Sequence, residues 1–212
     1  MRPVTLAEAK SLILPYEWLG NMPAVSRYAF GIFFDGKLGG AVVYGDEYAS
    51  NLGVWDRYGY SGKIIALLRG ACAHWAHPHA ASKLIRRSMD LLPERYKVIT
   101  ATVDAGAGEV GTIYQAAGFH FVGVMRQGGR APVAINGKPI SERQAGRIAG
   151  TRGAQALAQL GFDARAVPRR SRYFAFRGTR EERRELQAAI SGLIKPYPKR
   201  PRSALGLGRP TG

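Results

Sequence analysis

The sequence predicts an α/β fold, a mixed central sheet flanked by helices, with a basic C-terminal extension. Three observations predict it. The stretch 98–123, VITATVDAGAGEVGTIYQAAGFHFVG, reads as strand, acidic turn, helix, glycine stop and strand. The elements before it read as a hairpin followed by strand and helix. The charge is also split: residues 1–124 hold 12 Lys/Arg and 10 Asp/Glu, a balance of +2, whereas residues 125–212 hold 19 and 5, a balance of +14.

Each element has a local reason. Thr5 is placed to cap a helix over residues 5–14, with Glu8 at the capping-box position and Pro15 as its stop. A loop rich in aromatic and polar groups, 16–23, follows. Residues 27–34 alternate as a strand, Asp35-Gly36-Lys37 makes a hairpin turn, and 38–44 returns as the partner. Residues 49–62 read as a loop bearing Trp55, Tyr58 and Tyr60, and 64–75 as a further strand. In 80–92, Leu84, Ile85, Met89 and Leu92 recur on one helical face. The β-branched run 98–103 reads as a buried strand, 109–117 as a helix, Gly118 as its C-cap and 119–124 as the next strand. Beyond it come a hairpin over 133–140 around Asn136-Gly137, short helices over 141–149 and 152–160, a strand over 172–176 and an amphipathic helix over 179–194. The end, 196–212, is rich in Pro, Gly and Arg and predicts disorder past Arg202. The division expected is a catalytic core over 1–124, a basic extension over 125–202 packed on it, and a disordered tail over 203–212.

A chain of 212 residues suits one domain with an extension, and 46% hydrophobic residues suffice for a core. No run of 18 apolar residues predicts a membrane span, and the N-terminus lacks the long apolar stretch of a signal peptide. The single cysteine, Cys72, reads as a buried structural residue and suits a reducing cytoplasm. The basic half favours a polyphosphate partner, because cationic side chains release its condensed counterions.

The segment Tyr114-Gln115-Ala116-Ala117-Gly118-Phe119 resembles the Y-x-x-x-G-F ending of the GNAT acyltransferase fold. The longer pattern, Asp104 followed by G-x-I-Y-Q-A-x-G-F-x-x-x-G over 111–123, is similar to the Mom-type DNA adenine modification proteins of bacteriophages, a divergent GNAT branch. S-R-Y-F-A-F at 171–176, a charged helix, and P-Y-P-K-R at 196–200 resemble the C-terminal half of that family. The resemblance implies a transferase that converts the adenine N6 amine in double-stranded DNA to a carbamoylmethyl-type derivative, using a small-molecule donor. It also implies protection of phage DNA from restriction, in the host cytoplasm. In ordinary GNAT proteins a glycine-bearing loop before a helix cradles the pyrophosphate of acetyl-CoA on backbone N–H groups. Here that loop is His77-Pro78-His79-Ala80-Ala81-Ser82-Lys83, without glycine. Acetyl-CoA is thus a candidate cofactor from the fold alone, and the donor stays unassigned.

The candidate catalytic residues are Asp104, Tyr114, Glu17, Trp18 and Ser82. Asp104 stands at a strand end that faces the ligand crevice of an open α/β sheet. A carboxylate there can orient an exocyclic amine or take its proton, or it can simply cap the next helix. Tyr114 is read both as a core residue and, through the resemblance, as a general acid toward a leaving group. Glu17 and Trp18 follow the first helix, where a Trp can stack on a base and a Glu can bind an amine edge. Ser82 and Lys83 open a helix and are the candidate cofactor-binding pair, with helix capping as the plainer role of Ser82. The cluster His74, His77 and His79 lacks standard metal-ligand spacing and reads as a surface loop, although a metal held by one of these with Glu17 or Asp104 stays open. The candidate DNA contacts are Arg169, Arg170, Arg172, Tyr173, Lys199 and Arg200, with Arg177, Tyr197 and Arg202 beside them. Two other functions remain open at this point: a conventional GNAT N-acyltransferase acting on a small amine or a protein, and a non-catalytic nucleic-acid-binding module.

Overall fold

The computed structural model describes residues 1–16, 21–46, 54–104, 109–124, 133–140, 142–151, 153–166 and 170–199, with 138–140 and 142–144 as backbone alone. Glu17, Trp18, Arg169, Arg200 and the tail 203–212 lie outside these residues.

Seven strands form one sheet in the order β1-β2-β3-β4-β5-β10-β6. They are β1 (Arg2–Pro3), β2 (Ser26–Phe34), β3 (Lys37–Gly45), β4 (Ile64–Cys72), β5 (Val98–Val103), β6 (His120–Val124) and β10 (Ser171–Phe176). All neighbours are antiparallel except β4 and β5, which run parallel and are joined through α2 (Ala80–Leu91). The period of two divides the side chains between faces. Ile99, Ala101 and Val103 of β5 join Leu84, Ile85 and Met89 of α2 in the largest core cluster. On the opposite face, α1 (Leu6–Tyr16) packs Ala9, Leu12 and Ile13 on β2 and β3, and α6 (Arg180–Ala189) packs Leu186 near Val98, Phe174 and Phe176.

The helix starts follow their caps. At α1, the Thr5 N–H donates to the Glu8 carboxylate at 2.7 Å and the Glu8 N–H to the Thr5 hydroxyl at 3.1 Å, the capping box expected. Thr179 and Glu182 repeat the device at α6. The hairpin turns at Asp35-Gly36 and Asn136-Gly137 fall at the expected places, with positive φ at all four residues.

Several expectations change. The helix expected over 109–117 is only α3 (Thr112–Ala116), because Gly111 takes a left-handed φ of +67° that no right-handed helix admits. The strand expected over 64–75 stops at Cys72. The segment read as an aromatic loop contributes core: Trp55 is fully buried, its ring 5.3 Å from Phe174 and 5.6 Å from Phe176.

The largest change concerns the C-terminal half. β10 lies between β5 and β6, with Ser171 opposite both Val103 and Val124. The sheet is therefore not complete at residue 124. What intervenes is a small unit with its own three-stranded sheet, order β8-β7-β9: β7 (Val133–Ile135), β8 (Lys138–Ile140) and β9 (Ala164–Ala166). With α4 (Glu142–Ala149) and α5 (Ala154–Gln159), it gathers Val133, Ala145 and Leu157 into a separate cluster. No described helix is long and apolar enough to cross a membrane.

Candidate active site

The site begins where β4 and β5 part. They pair from Ile64/Val98 to Leu67/Ala101. Beyond that, β4 stays with β3 as far as Gly40/Cys72, and β5 stays with β10 as far as Ser171/Val103. Two parallel strands that diverge at their C-terminal ends leave a crevice, the usual ligand position in an open α/β sheet. Here it is a cavity of about 320 Å³. Its apolar walls come from the sheet (Val42, Leu67, Val103) and from α2 (Ala81, Leu84, Ile85). The segment 109–114 closes one side, and the polar groups on the lining are Cys72, Glu109, Thr112 and Tyr114. Apolar walls with a few converging polar groups suit a small organic ligand.

Tyr173 fixes that closing segment. Its hydroxyl donates to the Val110 carbonyl at 2.8 Å. Gly111 crosses its ring so closely that a Cβ there would lie 2.7 Å from the ring carbon Cζ. Tyr173 is fully buried, and burial raises its hydroxyl above the usual tyrosine range. This corrects the expectation that Tyr173 touches DNA: the alternation of S-R-Y-F-A-F turns it inward between Tyr114 and Phe121. Arg177 is corrected likewise. It is half-buried and donates to the carbonyls of Pro93 at 2.9 Å, Tyr96 at 3.2 Å and Asp90 at 3.3 Å, closing the C-terminal end of α2.

Asp104 and Tyr114 come to the same crevice. Tyr114 lines the cavity and packs on Phe119 and Tyr173 at ring distances of 5.4 and 5.7 Å. Asp104 follows Val103 at the rim, its backbone N–H reaching the Glu109 carboxylate at 3.4 Å. Its own carboxylate, 15% exposed, lies 3.6 Å from Nε of Arg170, whose side chain is 47% exposed. Register makes that pair: Ser171 faces Val103, so the residue before one meets the residue after the other. Arg172 lies one step along, half-exposed, with its guanidinium 5.9 Å from the Phe174 ring.

The other candidates are not gathered there. The Ser82 hydroxyl donates to the His79 carbonyl at 3.2 Å, within the first turn of α2. Lys83 lines a different groove with Phe34, Arg87 and Asp90. Lys199 is exposed, and the Tyr197 hydroxyl donates to the Phe119 carbonyl at 2.7 Å. His77 and His79 turn to each other at a ring distance of 5.4 Å, while His74 lies 6.0 Å from Tyr16, the last residue described before Glu17. Among the described residues no group of three or more His, Cys, Asp or Glu is placed to hold a metal. The turn into α2 does not fit a pyrophosphate cradle, since Pro78 has no N–H and the His79 N–H is taken by Nδ1 of His77 at 3.1 Å.

Three polar lining residues, Cys72, Glu109 and Thr112, were not foreseen. Glu109 read only as the start of a helix, although its place five residues after Asp104, across a glycine-bearing loop, was a signal for a shared rim. Cys72 faces the cavity with its thiol pushed up to about 11 by burial, which makes it a poor nucleophile.

A family model described as the Mom protein family matches residues 1–199. The chain belongs to the Mom protein family. No curated protein matches it. Among solved structures, this Mom family member is similar to an N-acetyltransferase from Staphylococcus aureus Mu50, with 15% identity and a TM-score of 0.39 over 70% of this chain and 67% of that one. A GNAT family acetyltransferase from Streptococcus pneumoniae gives 13% and 0.40 over 72% and 68%. A Bacillus subtilis acetyltransferase in complex with CoA gives 10% and 0.43 over 82% and 95%. At such scores these likenesses assign neither substrate nor cofactor.

Proposed function

We propose that the chain is a DNA-modifying transferase that converts the adenine N6 amine to a carbamoylmethyl-type derivative and so protects the DNA from restriction enzymes. The observation that carries the reading is the Asp104–Arg170 pair at the cavity mouth. It sets a carboxylate suited to an exocyclic amine beside a cation of the basic half, on the rim of a cavity sized for a small donor. Membership of the Mom family supports the same reading.

In this reading the duplex releases its target base into the crevice, because N6 is out of reach within the stack. The amine attacks the electrophilic carbon of the donor: a C–N bond forms, and the bond to the leaving group breaks. The amine proton passes to Asp104, and the Tyr114 hydroxyl donates a proton to the departing group. Arg170 holds the flanking phosphate. The base-binding role given to Glu17 and Trp18 comes from their sequence pattern alone.

Mass spectrometry of nucleosides from cells expressing the chain tests this. A modified deoxyadenosine is expected, and Asp104→Asn and Tyr114→Phe should each abolish it with an unchanged thermal transition. Unmodified nucleosides from cells rich in folded protein would sink the reading.

A further inference from the structure

A second groove, of about 280 Å³, opens where α2, the start of β6 and α6 meet at the far end of the sheet. Arg86 of α2, His120 of β6, and Arg183 and Gln187 of α6 line it, over a floor that includes Met89 and Phe176. Among the described residues no carboxylate lines it. The three basic side chains come from three elements, so tertiary packing gathers them, not a run in the sequence. We propose that this groove binds a phosphodiester of the DNA strand, as a foothold separate from the cavity mouth. The proposal rests on the DNA reading above.

The other arginines set the contrast. Arg177 is committed to three carbonyls and Arg27 to Asp46 at 2.6 Å. Arg183 has no ion pair among the described residues. Its acidic neighbour Glu182 is held elsewhere, by the Thr179 N–H at 2.7 Å and by Lys97 at 3.0 Å, which also fixes the first turn of α6. Arg86 meets Asp90 at 3.7 Å, a long exposed i,i+4 contact that a phosphate oxygen can replace with little loss. His120 supplies a flat donor. It stacks on Phe176 at 5.5 Å with 27° between the rings, and its half-burial lowers its proton affinity. A bound phosphate reverses that preference by favouring the imidazolium.

The spacing suits one bound duplex. Ser171 stands at the cavity end of β10 and Phe176 at the groove end, five residues apart, or about 17 Å of strand. That length covers about five phosphates of one DNA strand.

The experiment has two arms. In the first, duplex DNA is titrated against the full chain and against an Arg86→Gln/Arg183→Gln variant over a range of salt. The slope of log K against log salt should flatten by about 1.8 for two lost contacts, on any sequence. An unchanged slope in a variant with an unchanged thermal transition overturns the proposal. In the second arm, the His120 ring protons are followed by NMR as a short abasic oligonucleotide or inorganic phosphate is added. The oligonucleotide should shift them and raise the pH of their titration, and the double variant should lose both effects. A response to inorganic phosphate with none to the oligonucleotide overturns the DNA source and makes this a site for a free phosphate. Neither arm depends on adenine chemistry. Unmodified nucleosides with both arms positive would defeat the function proposed above and leave the groove standing.

Discussion

At the Phe176 end of β10, Arg177 sits half-buried and spends its guanidinium on three backbone carbonyls. At the Ser171 end, Arg170 stands exposed beside a carboxylate at the mouth of a cavity. The two residues are the same type, flank the same strand, and belong to the same basic half. At the Arg177 end β4 and β5 are paired and the sheet is shut, so an arginine there closes the backbone of α2. At the Arg170 end the strands have parted, so an arginine there faces whatever enters. Composition groups these cations together, and the splay of two strands separates them.

Tyr173→Ala is the strongest way to break that contrast. Loss of a buried ring that braces the 109–111 segment should cost about 3–5 kcal/mol in urea denaturation. Tyr173→Phe, which loses only the bond to Val110, should cost about 1 kcal/mol. A Tyr173→Ala protein of normal stability with weakened DNA binding would return Tyr173 to the surface. Next, Arg177→Met should cost about 2 kcal/mol and lower Tm by about 4–8 °C, with the salt slope of DNA binding unchanged. Arg170→Met should do the reverse: stability within about 0.5 kcal/mol of the parent and a slope flatter by about 0.9. Equal effects of the two substitutions on Tm would erase the distinction between the ends.

The smallest effect concerns acid. The Thr179 N–H and then Lys97 hold the Glu182 carboxyl below its ordinary value of 4.5. A carboxyl depressed in the folded state contributes stability above about pH 4.5 and loses it as pH falls through the folded value. A plot of Tm against pH should therefore drop less steeply below about pH 4.5 in Glu182→Gln than in the parent. Parallel curves would remove Glu182 from the acid response.

Much of this was legible in the sequence because the local signals agreed. Thr5 with Glu8, Asp35-Gly36 and Asn136-Gly137 each specify a turn or cap by their own chemistry, and each lies where it was read. The strand at 98–103 and its acidic end were legible from β-branching and one Asp. What escaped depends on partners distant in sequence. No local pattern says that β10 slots between β5 and β6, and without that Tyr173 reads as an aromatic among arginines. Glu109 had a local signal, its place five residues after Asp104, but that signal could not tell a rim residue from a helix start. Asp104 and Tyr114 come to one crevice because strand end and next helix are neighbours in both sequence and space. Ser82 and Lys83 share a helix with the cavity wall but do not line it, a difference of phase that spacing alone left unresolved.

The late position of β10 also governs how the chain is made. A chain that has reached Val124 lacks the strand that lies between β5 and β6 in the finished sheet. The filler, Ser171–Phe176, leaves the ribosome only after the whole 133–166 unit has been synthesised. Until then β5 presents an unpaired apolar edge, the kind of template on which unfinished chains stick to one another. Completion of the crevice thus waits on translation past residue 176, so a prematurely terminated product would have neither the continuous sheet nor the Asp104–Arg170 pair.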